Sequence, residues 1–347
     1  MKIAIIRQKF VLYGGAEKFV QGYIQQLAEA GHDIHIFANQ WSDHPNIHLH
    51  HVPAFKLNAF IRTLSFAWFA AKAVGRESFD IIQSHEKTWK QDVYRVGDGC
   101  HREWLDQRKR FLPLLKRFSL TCNPFHRLIL KLEKNIFESG QCKKFIAISQ
   151  MVKNDILKHY DCPPENISVV YNGVNLTRFH PDNRNLYRES IRKELEIPES
   201  SLLILFVGSG FERKGLKSLL QATQYFKSKD WYLLIMGKGK WERYVHFVPE
   251  NLRDQIIYKE PVPDIEKYYS AADIFALPSI YEPFGNANLE ALAAGLPVVT
   301  TRHCGAADII QHKQNGLVVE SPESSEEVAE NINFLFDPVF RQSMGQQ

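Results

Sequence analysis

The sequence has few cysteines, and their spacing is not that of a metal site or a disulfide framework. Its 347 residues include five cysteines, an odd number without a C-x-x-C pair, at Cys100, Cys122, Cys142, Cys162 and Cys304. Zinc sites and disulfide-stabilised domains use paired cysteines at short, regular spacings. We therefore expect free thiols in a reducing cytoplasm.

Long hydrophobic runs are absent as well. A helix that spans a bilayer needs about 20 consecutive apolar residues, and no segment approaches that length. The N-terminal segment 1–7 meets a charge again at Arg7, which favours a buried strand over a signal peptide. We expect a protein that stays in the cytoplasm.

Two motifs that would indicate other chemistry are also missing. No D-x-D triplet follows a strand, which agrees with a reaction that needs no metal ion. The glycines after the first strand do not form G-x-G-x-x-G, so the dinucleotide-binding fingerprint is absent. The net charge is only +4, and we expect no nucleic-acid partner.

The small net charge conceals a basic stretch between residues 102 and 144. Only Glu103, Asp106, Glu133 and Glu138 oppose its cations there. The cations alternate with large apolar residues, as on surfaces that bind anionic membranes. An ordinary solvated helix pair with an apolar core face explains the same residues equally well. The cations are Arg102, Arg108, Lys109, Arg110, Lys116, Arg117, Arg127, Lys131, Lys134, Lys143 and Lys144.

Short apolar runs alternate with helical patterns, which predicts parallel sheets with crossover helices. In the first half we expect strands at 2–7, 33–38, 80–84, 144–148 and 168–171, and helices at 16–30 and after Ser149. The pattern restarts after a turn at 172–175, with strands at 202–207, 232–236, 255–258, 274–277 and 297–301. Helices are expected from Gly215, at 265–272 and at 286–294. The expected fold is α/β, with Rossmann-like domains at 1–171 and 172–347 that face each other across a cleft.

The most informative segment is YEPFGNANLEALAAGLPVV, residues 281–299. A Pro/Gly-rich loop follows the strand at 274–277, and a helix begins near Asn286. Backbone N–H groups at a helix start bind phosphate or sugar oxygens. Glu282 precedes this start and Glu290 lies about one turn into the helix. Their carboxylates can accept charge-assisted hydrogen bonds from sugar and ribose hydroxyls.

This segment resembles the E-x7-E signature of the family 4 retaining glycosyltransferases, which have the two-domain GT-B fold. Segments 145–158, 167–175 and 179–181 are similar to the family's interdomain region, and the resemblance extends from residue 2 to about 337. It implies that Glu282 holds hydroxyls of the transferred sugar and that Glu290 holds the ribose. It also implies that four residues present backbone amides to the donor: Phe284, Gly285, Asn286 and Ala287.

A second segment, 207–216, carries adjacent cations at the end of a predicted strand. Arg213 and Lys214 suit a diphosphate, because neutralising the charge that builds on a leaving nucleotide lowers the barrier. An isolated Arg-Lys pair is equally typical of a solvated helix start. Most family members have an arginine directly after the glycine that matches Gly208, where this chain has Ser209, and the resemblance implies that Ser209 contacts the donor. The variant resembles the subgroup that contains the glucosyltransferase of lipopolysaccharide inner-core heptose.

Glycines also follow the first strand, at Gly14 and Gly15. Without a side chain, a glycine lets the backbone approach a phosphate closely, although a glycine pair also makes an ordinary turn. In the family, the matching glycines lie against the donor phosphate and the acceptor.

Segments 84–87 and 94–99 lie at strand ends of the first domain. The lipopolysaccharide-core subgroup has an aspartate like Asp98, and we expect Asp98 to orient the acceptor hydroxyl or the transferred sugar. His85 is a candidate acceptor contact with an equally ordinary structural role. Lys87 and Arg102 are candidate partners of an anionic acceptor on grounds of charge alone.

The resemblance implies a metal-independent retaining hexosyltransferase without a cofactor, which moves glucose from a UDP-sugar to a lipid-linked saccharide such as lipopolysaccharide core. In that mechanism the acceptor attacks from the front face, and the leaving diphosphate takes its proton. We expect a cytoplasmic enzyme, peripheral on the inner face of the membrane. The family usually continues past residue 338, so its last crossover helix is expected to be missing.

Three alternatives remain open from the sequence. Hexosyl or N-acetylhexosaminyl transfer to another polysaccharide or glycolipid would use the same motifs. A nucleotide-sugar epimerase can share the fold but needs several acids and bases for proton abstraction. An inactive, membrane-associated scaffold would not need to keep the acidic and cationic residues of the donor site intact.

Overall fold

The computed structural model describes residues 1–9, 15–41 and 47–346, with the backbone alone for 15–21. The chain divides into two compact units, Met1–Asn172 and Gly173–Gln347. This division lies one residue from the boundary expected from the sequence.

The first unit contains a parallel sheet of seven strands in the order β3-β2-β1-β4-β5-β6-β7. The central strands are apolar and buried on both faces, as crossover helices require; Ile5 and Ile36, partners in the β1–β2 register, are both fully buried. The strands are β1 (Lys2–Ile6), β2 (Asp33–Ala38), β3 (His48–His51), β4 (Ile81–Ser84), β5 (Val93–Val96), β6 (Lys144–Ala147) and β7 (Ile167–Val169).

Helices α1 to α6 connect these strands. Three begin at side-chain caps: Asn58 accepts a 2.9 Å hydrogen bond from the Ile61 amide, Asn123 one of 2.9 Å from the Phe125 amide, and Ser149 one of 3.1 Å from the Val152 amide. The Ser149 cap confirms the helix start predicted from the sequence. The helices are α1 (Gly15–Glu29), α2 (Ala59–Val74), α3 (His101–Arg110), α4 (Leu114–Cys122), α5 (Pro124–Glu138) and α6 (Gln150–His159).

The second unit contains a parallel sheet of six strands in the order β10-β9-β8-β11-β12-β13. Its strands are β8 (Leu202–Val207), β9 (Trp231–Met236), β10 (Ile256–Lys259), β11 (Ile274–Leu277), β12 (Val298–Thr301) and β13 (Gly316–Val319). Its helices are α7 (Asn183–Glu194), α8 (Leu216–Ala222), α9 (Glu266–Ala271), α10 (Asn286–Ala293), α11 (Ser325–Phe334) and α12 (Pro338–Gly345). The expectation of two parallel α/β sheets is confirmed.

The sequence reading missed several elements. It treated 179–198 as a polar stretch, whereas α7 occupies most of it. This helix places Ile191 in the core and is also held to its neighbours by ion pairs. Arg192 and Arg184 of α7 lie 2.5 and 2.7 Å from the buried carboxylate of Asp273. Strand β3 is histidine-rich and mostly exposed, so it lacks the apolar run that marks a central strand.

None of the helices in the described part of the chain is long and apolar enough to cross a bilayer. The cysteines are all free, as expected from their spacing.

Candidate functional site

In the second unit, the loops that follow β8 and β11 bring a lysine and a glutamate together. Lys214 Nζ donates a 2.9 Å hydrogen bond to Glu282 Oε2, and Arg213 Nη2 lies 3.4 Å from the same oxygen. Glu282 is buried, while both cations are partly exposed. Burial alone would raise the pKa of Glu282, but Lys214 and Arg213 outweigh it and lower the pKa. The site therefore holds an ionised carboxylate between two cations.

Two glycines allow this close approach of the loops. A Cβ atom at Gly208 would lie 2.2 Å from Lys214 Cδ, and one at Gly215 would lie 1.8 Å from the carbonyl oxygen of Pro278. Gly215 also has a φ of 71°, in the left-handed region that favours glycine. The sequence indicated a glycine-bounded turn here, and the structure shows that the turn seats the Lys214 side chain.

The loop that carries Glu282 is fixed by the segment after β12. The Glu282 amide donates to the His303 carbonyl at 2.8 Å, and the Gly305 amide donates to the Glu282 carbonyl at 2.8 Å. Cys304 Sγ donates to the Phe284 carbonyl at 3.2 Å, and burial followed by the nearby Glu282 charge raises the thiol's pKa to about 12. The main chain of Glu282 is thus held from both sides, which fixes where its carboxylate points.

Helix α10 begins directly after this loop. Gly285, with a φ of 81°, precedes Asn286 as the cap residue, and a Cβ atom there would lie 2.7 Å from Asn288 Nδ2. Phe284 is buried, and Asn286 and Ala287 are partly buried. The first turn of a helix creates a positive potential that favours anionic oxygens. The predicted amide-presenting segment therefore forms a helix start beside the Lys214–Glu282 pair.

Glu290, one turn into α10, is held by a residue that the sequence reading missed. The hydroxyl of fully buried Tyr269 donates a 2.9 Å hydrogen bond to Glu290 Oε2. Burial, and next the Glu290 charge, raise the pKa of Tyr269 well above its usual value, so it stays a donor. A lone tyrosine in a short helix carries no sequence signal that would have identified it.

Ser209 lies in the loop after β8, which also carries Arg213 and Lys214. Its Oγ accepts a 3.0 Å hydrogen bond from the Lys238 amide and so joins the loops after β8 and β9. Its predicted contact with the donor stays a prediction. A cavity of about 770 Å³ between β13 and α11, lined in part by Arg302, Lys313 and Glu320, includes none of the predicted site residues.

In the first unit, His85 follows β4 and is buried. Its Nε2 lies 3.0 Å from Gln83 Nε2, and its Nδ1 is buried without a hydrogen-bond partner among the described residues. Burial, followed by the charges of Arg95 and Arg7, lowers its pKa well below the usual value. His85 is therefore a neutral imidazole, held in place by its neighbours.

Lys87 is not the solvent-facing cation that its charge led us to expect. Its ammonium lies 3.6 Å from Glu133 Oε1, and both side chains are almost fully buried. The same carboxylate accepts hydrogen bonds of 2.7 Å from the His101 amide and the Tyr160 hydroxyl. Burial alone would lower the pKa of Lys87, but Tyr94, Glu133 and Asp98 together raise it. The structure thus gives Lys87 an internal carboxylate as its partner.

Asp98 and Arg102 are more accessible. Asp98 follows β5, is exposed and lies near Glu86. Burial and the Asp98 charge raise the pKa of Glu86, although the nearby Arg7 lowers it. Arg102 Nε lies 3.8 Å from Asp106 Oδ2 at the surface. Gly14 lies outside the described residues, and Gly15 is the first residue of α1. The acceptor-side roles of these residues stay predictions.

Two family models match nearly the whole chain. Residues 13–178 match Glycosyltransferase Family 4, and residues 187–347 match Glycosyl transferases group 1. The chain belongs to the family 4, group 1 glycosyltransferases. The resemblance carried by the E-x7-E segment is confirmed.

Relatives of this glycosyltransferase align along most of its length. The lipopolysaccharide glucosyltransferase WaaG of Escherichia coli K12 is 26% identical over 336 residues, 95% of this chain and 88% of WaaG. The N-acetyl-alpha-D-glucosaminyl L-malate synthase of Bacillus anthracis is 23% identical over 337 residues, 93% of this chain and 85% of that enzyme.

Solved structures show the same fold. The crystal structure of WaaG superposes with a TM-score of 0.85 at 24% identity, covering 99% of this chain and 93% of WaaG. Anabaena HepE, solved in complex with UDP-glucose, gives a TM-score of 0.71 at 17% identity, with coverage of 100% and 94%. The predicted GT-B fold is confirmed.

Proposed function

We propose that this glycosyltransferase moves a hexose, glucose, from a UDP-sugar to a lipid-linked saccharide such as lipopolysaccharide core, with retention of configuration and without a metal ion. The observation that carries the proposal is the Lys214–Glu282 pair at the ends of β8 and β11, with Arg213 on the same carboxylate. The alignment with WaaG over nearly the whole chain supports the choice of substrate.

The two cations take the role of a metal ion. A glycosyl bond to a diphosphate breaks as negative charge builds on the leaving oxygens, and fixed cations stabilise that charge most in the transition state. Lys214 and Arg213 both lie in the loop after β8, where the Arg213 carbonyl accepts a 2.8 Å hydrogen bond from the Ile280 amide of the loop after β11. The leaving diphosphate then takes the proton of the acceptor hydroxyl as that hydroxyl attacks from the same face.

Glu282 binds the sugar in this proposal. Its lowered pKa keeps it ionised at neutral pH, so it accepts strong hydrogen bonds from sugar hydroxyls. Glu290, oriented by Tyr269, accepts from the ribose hydroxyls. Asp98 of the first unit is proposed to orient the acceptor hydroxyl.

N-acetylhexosaminyl transfer is the second candidate for the donor. The observation in its favour is the alignment with the N-acetyl-alpha-D-glucosaminyl L-malate synthase of B. anthracis, whose name specifies an N-acetylglucosaminyl product. The two candidates differ in the substituent at the sugar C2 position, and a donor panel separates them directly.

The exposed surface of α4 suits an enzyme whose acceptor is anchored in a membrane. Leu114, Leu115 and Phe118 are 78%, 89% and 74% exposed, with Lys116 and Arg117 between them. Apolar side chains next to cations bind the headgroup region of anionic bilayers. We propose that this surface holds the enzyme at the inner face of the cytoplasmic membrane.

The test is a turnover assay with purified protein, a chelator, and UDP-glucose, UDP-galactose or UDP-N-acetylglucosamine. Lipopolysaccharide core lacking its first glucose serves as acceptor, and the anomeric configuration of the product is read by NMR. We expect acceptor-dependent UDP release from UDP-glucose and an α-linked product. Turnover that needs added metal, or an inverted product, would contradict the proposed mechanism. Preference for UDP-N-acetylglucosamine would select the second donor.

A further inference from the structure

Strands β2 and β3 carry an unusual set of polar side chains on one face. Successive residues of a strand point to opposite faces, so Asp33 and His35 of β2 share a face, as do His48 and His50 of β3. The parallel register pairs His35 with His48. Three imidazoles and one carboxylate are therefore brought to one patch at the edge of the first sheet.

The distances in this patch are those of metal ligands. His35 Nε2 lies 3.3 Å from Asp33 Oδ2, and His48 Nε2 lies 3.4 Å from Asp33 Oδ1. One ligand atom from each of the three residues lies within 4.8 Å of the others. Ligands bound tetrahedrally to zinc at about 2.0–2.2 Å are separated by roughly 3.3–3.5 Å from one another. The three side chains thus lie close enough together for a small rotamer adjustment to bring one atom of each onto a single ion.

The fourth residue, His50, fixes the orientation of His35. Its Nε2 lies 2.8 Å from His35 Nδ1, and its ring stacks on Phe37 with centroids 4.4 Å apart. When His35 Nδ1 carries the ring proton, it donates a hydrogen bond to His50 Nε2. That bond directs the His35 Nε2 lone pair toward Asp33 and His48, as outer hydrogen bonds do for metal-binding histidines.

We propose that Asp33, His35 and His48 bind one Zn²⁺ ion, with a water molecule in the fourth position. Asp33 and His48 are the first residues of β2 and β3. The candidate acceptor residues His85 and Asp98 instead follow the carboxyl ends of β4 and β5. Because the sheet is parallel, the zinc site lies at the opposite end of the strands from these residues. The ion would join edge strand β3 to β2 and take no part in sugar transfer.

The test is zinc titration of the metal-stripped full chain by calorimetry. We expect one site per chain, and at least a tenfold loss of affinity in His48→Ala and in Asp33→Asn. Both side chains are exposed, so neither change disturbs the core. His51→Ala is the matched control, since His51 is an exposed histidine on the other face of the same strand. It should bind zinc like the unchanged protein.

Two further readouts test the geometry. Cobalt should give the visible absorption of a tetrahedral site in the unchanged protein and in His51→Ala, and lose it in His48→Ala. His50→Gln should weaken zinc binding by about tenfold, through loss of the bond to His35. Equal zinc affinity in the unchanged protein and His48→Ala would overturn the proposal, as would an equal loss in His51→Ala.

Discussion

Tyr269 donates a 2.9 Å hydrogen bond to Glu290 across the short distance between α9 and α10. The donor is fully buried and the acceptor is only partly so. The bond therefore anchors the Glu290 carboxylate from the buried side of the helix. The bond restricts the conformations of a flexible glutamate, which suits the proposed role of Glu290 as the ribose contact.

Tyr269→Phe should weaken donor binding more than it slows turnover. A hydrogen bond to a charged group contributes about 1.5–3 kcal/mol, so the KM for the donor should rise roughly tenfold while kcat changes little. Steady-state kinetics measure both. Tyr268→Phe, which removes a 3.0 Å bond to Glu194 next to it, is the control and should leave both constants unchanged. If Tyr269 had only a structural role, the two variants would change KM and kcat alike.

Lys214→Gln should lower turnover more than donor affinity. The cation acts chiefly on charge that develops in the transition state, and loss of one such group costs about 100–1,000-fold in kcat. Lys217→Gln replaces an exposed lysine on the neighbouring helix and should remain active. A rise in the donor KM with kcat intact would contradict the assignment.

Glu282 should make stability depend on pH. Its pKa is lower in the folded chain than the ordinary value, because Lys214 and Arg213 outweigh burial. The unfolded carboxyl therefore binds its proton first, so the stabilisation is present above the ordinary pKa of about 4.3 and is lost as pH falls through the folded value. Urea unfolding of the unchanged protein and Glu282→Gln should show a difference at pH 7 that shrinks below about pH 4. A constant difference across this range would contradict the ion pair.

Gly215→Ala should destabilise the second unit more than Gly210→Ala. Both glycines have positive φ, 71° and 78°, so both substitutions incur the left-handed strain of about 1 kcal/mol. Only at Gly215 does the new Cβ meet a backbone oxygen, that of Pro278, at 1.8 Å; Gly210 faces open space. We expect about 3 kcal/mol or more of additional loss for Gly215→Ala in urea unfolding. Equal losses would show that the loops separate easily.

A triple change of Leu114, Leu115 and Phe118 to serine should release the enzyme from anionic vesicles. The changes remove exposed apolar surface and leave Lys116 and Arg117 in place, so any remaining binding reports charge alone. Co-sedimentation with phosphatidylglycerol-containing vesicles measures the effect. A serine triple at the exposed Leu57, Leu176 and Leu186, which lie outside α4, is the control. Equal vesicle binding by both triple variants would contradict the assignment of α4 as the membrane-binding surface.

The parts of the fold that follow from local pattern could be predicted from the sequence. Continuous apolar runs such as β8, and the cap at Ser149, can be recognised in the sequence, because burial and capping depend on residues that are neighbours along the chain. Helix α7 and strand β3 could not be predicted in this way. The first depends on Asp273, far along the chain, and the second pairs only at an edge.

The candidate site shows the same division. Glu282, Glu290, Arg213 and Lys214 stand in motifs and could be named from the sequence. Their supporting residues could not be named in this way. Tyr269 holds Glu290, and Cys304 holds the loop of Glu282, through contacts between distant segments. Glu133 pairs with Lys87 across a similar distance along the chain. Only the folded chain shows that Lys87 is already paired, while Glu282 and Lys214 are paired with each other.

The pairing of Lys214 and Arg213 with Glu282 also bears on how fast the donor arrives. With its carboxylate in place, the cluster of three has a net charge of only +1, so its attraction for a distant nucleotide is weak. Long-range attraction of this kind is what makes association rates fall with added salt. The cluster itself should therefore add little to the salt dependence of UDP-sugar association, which the charge of the whole chain determines.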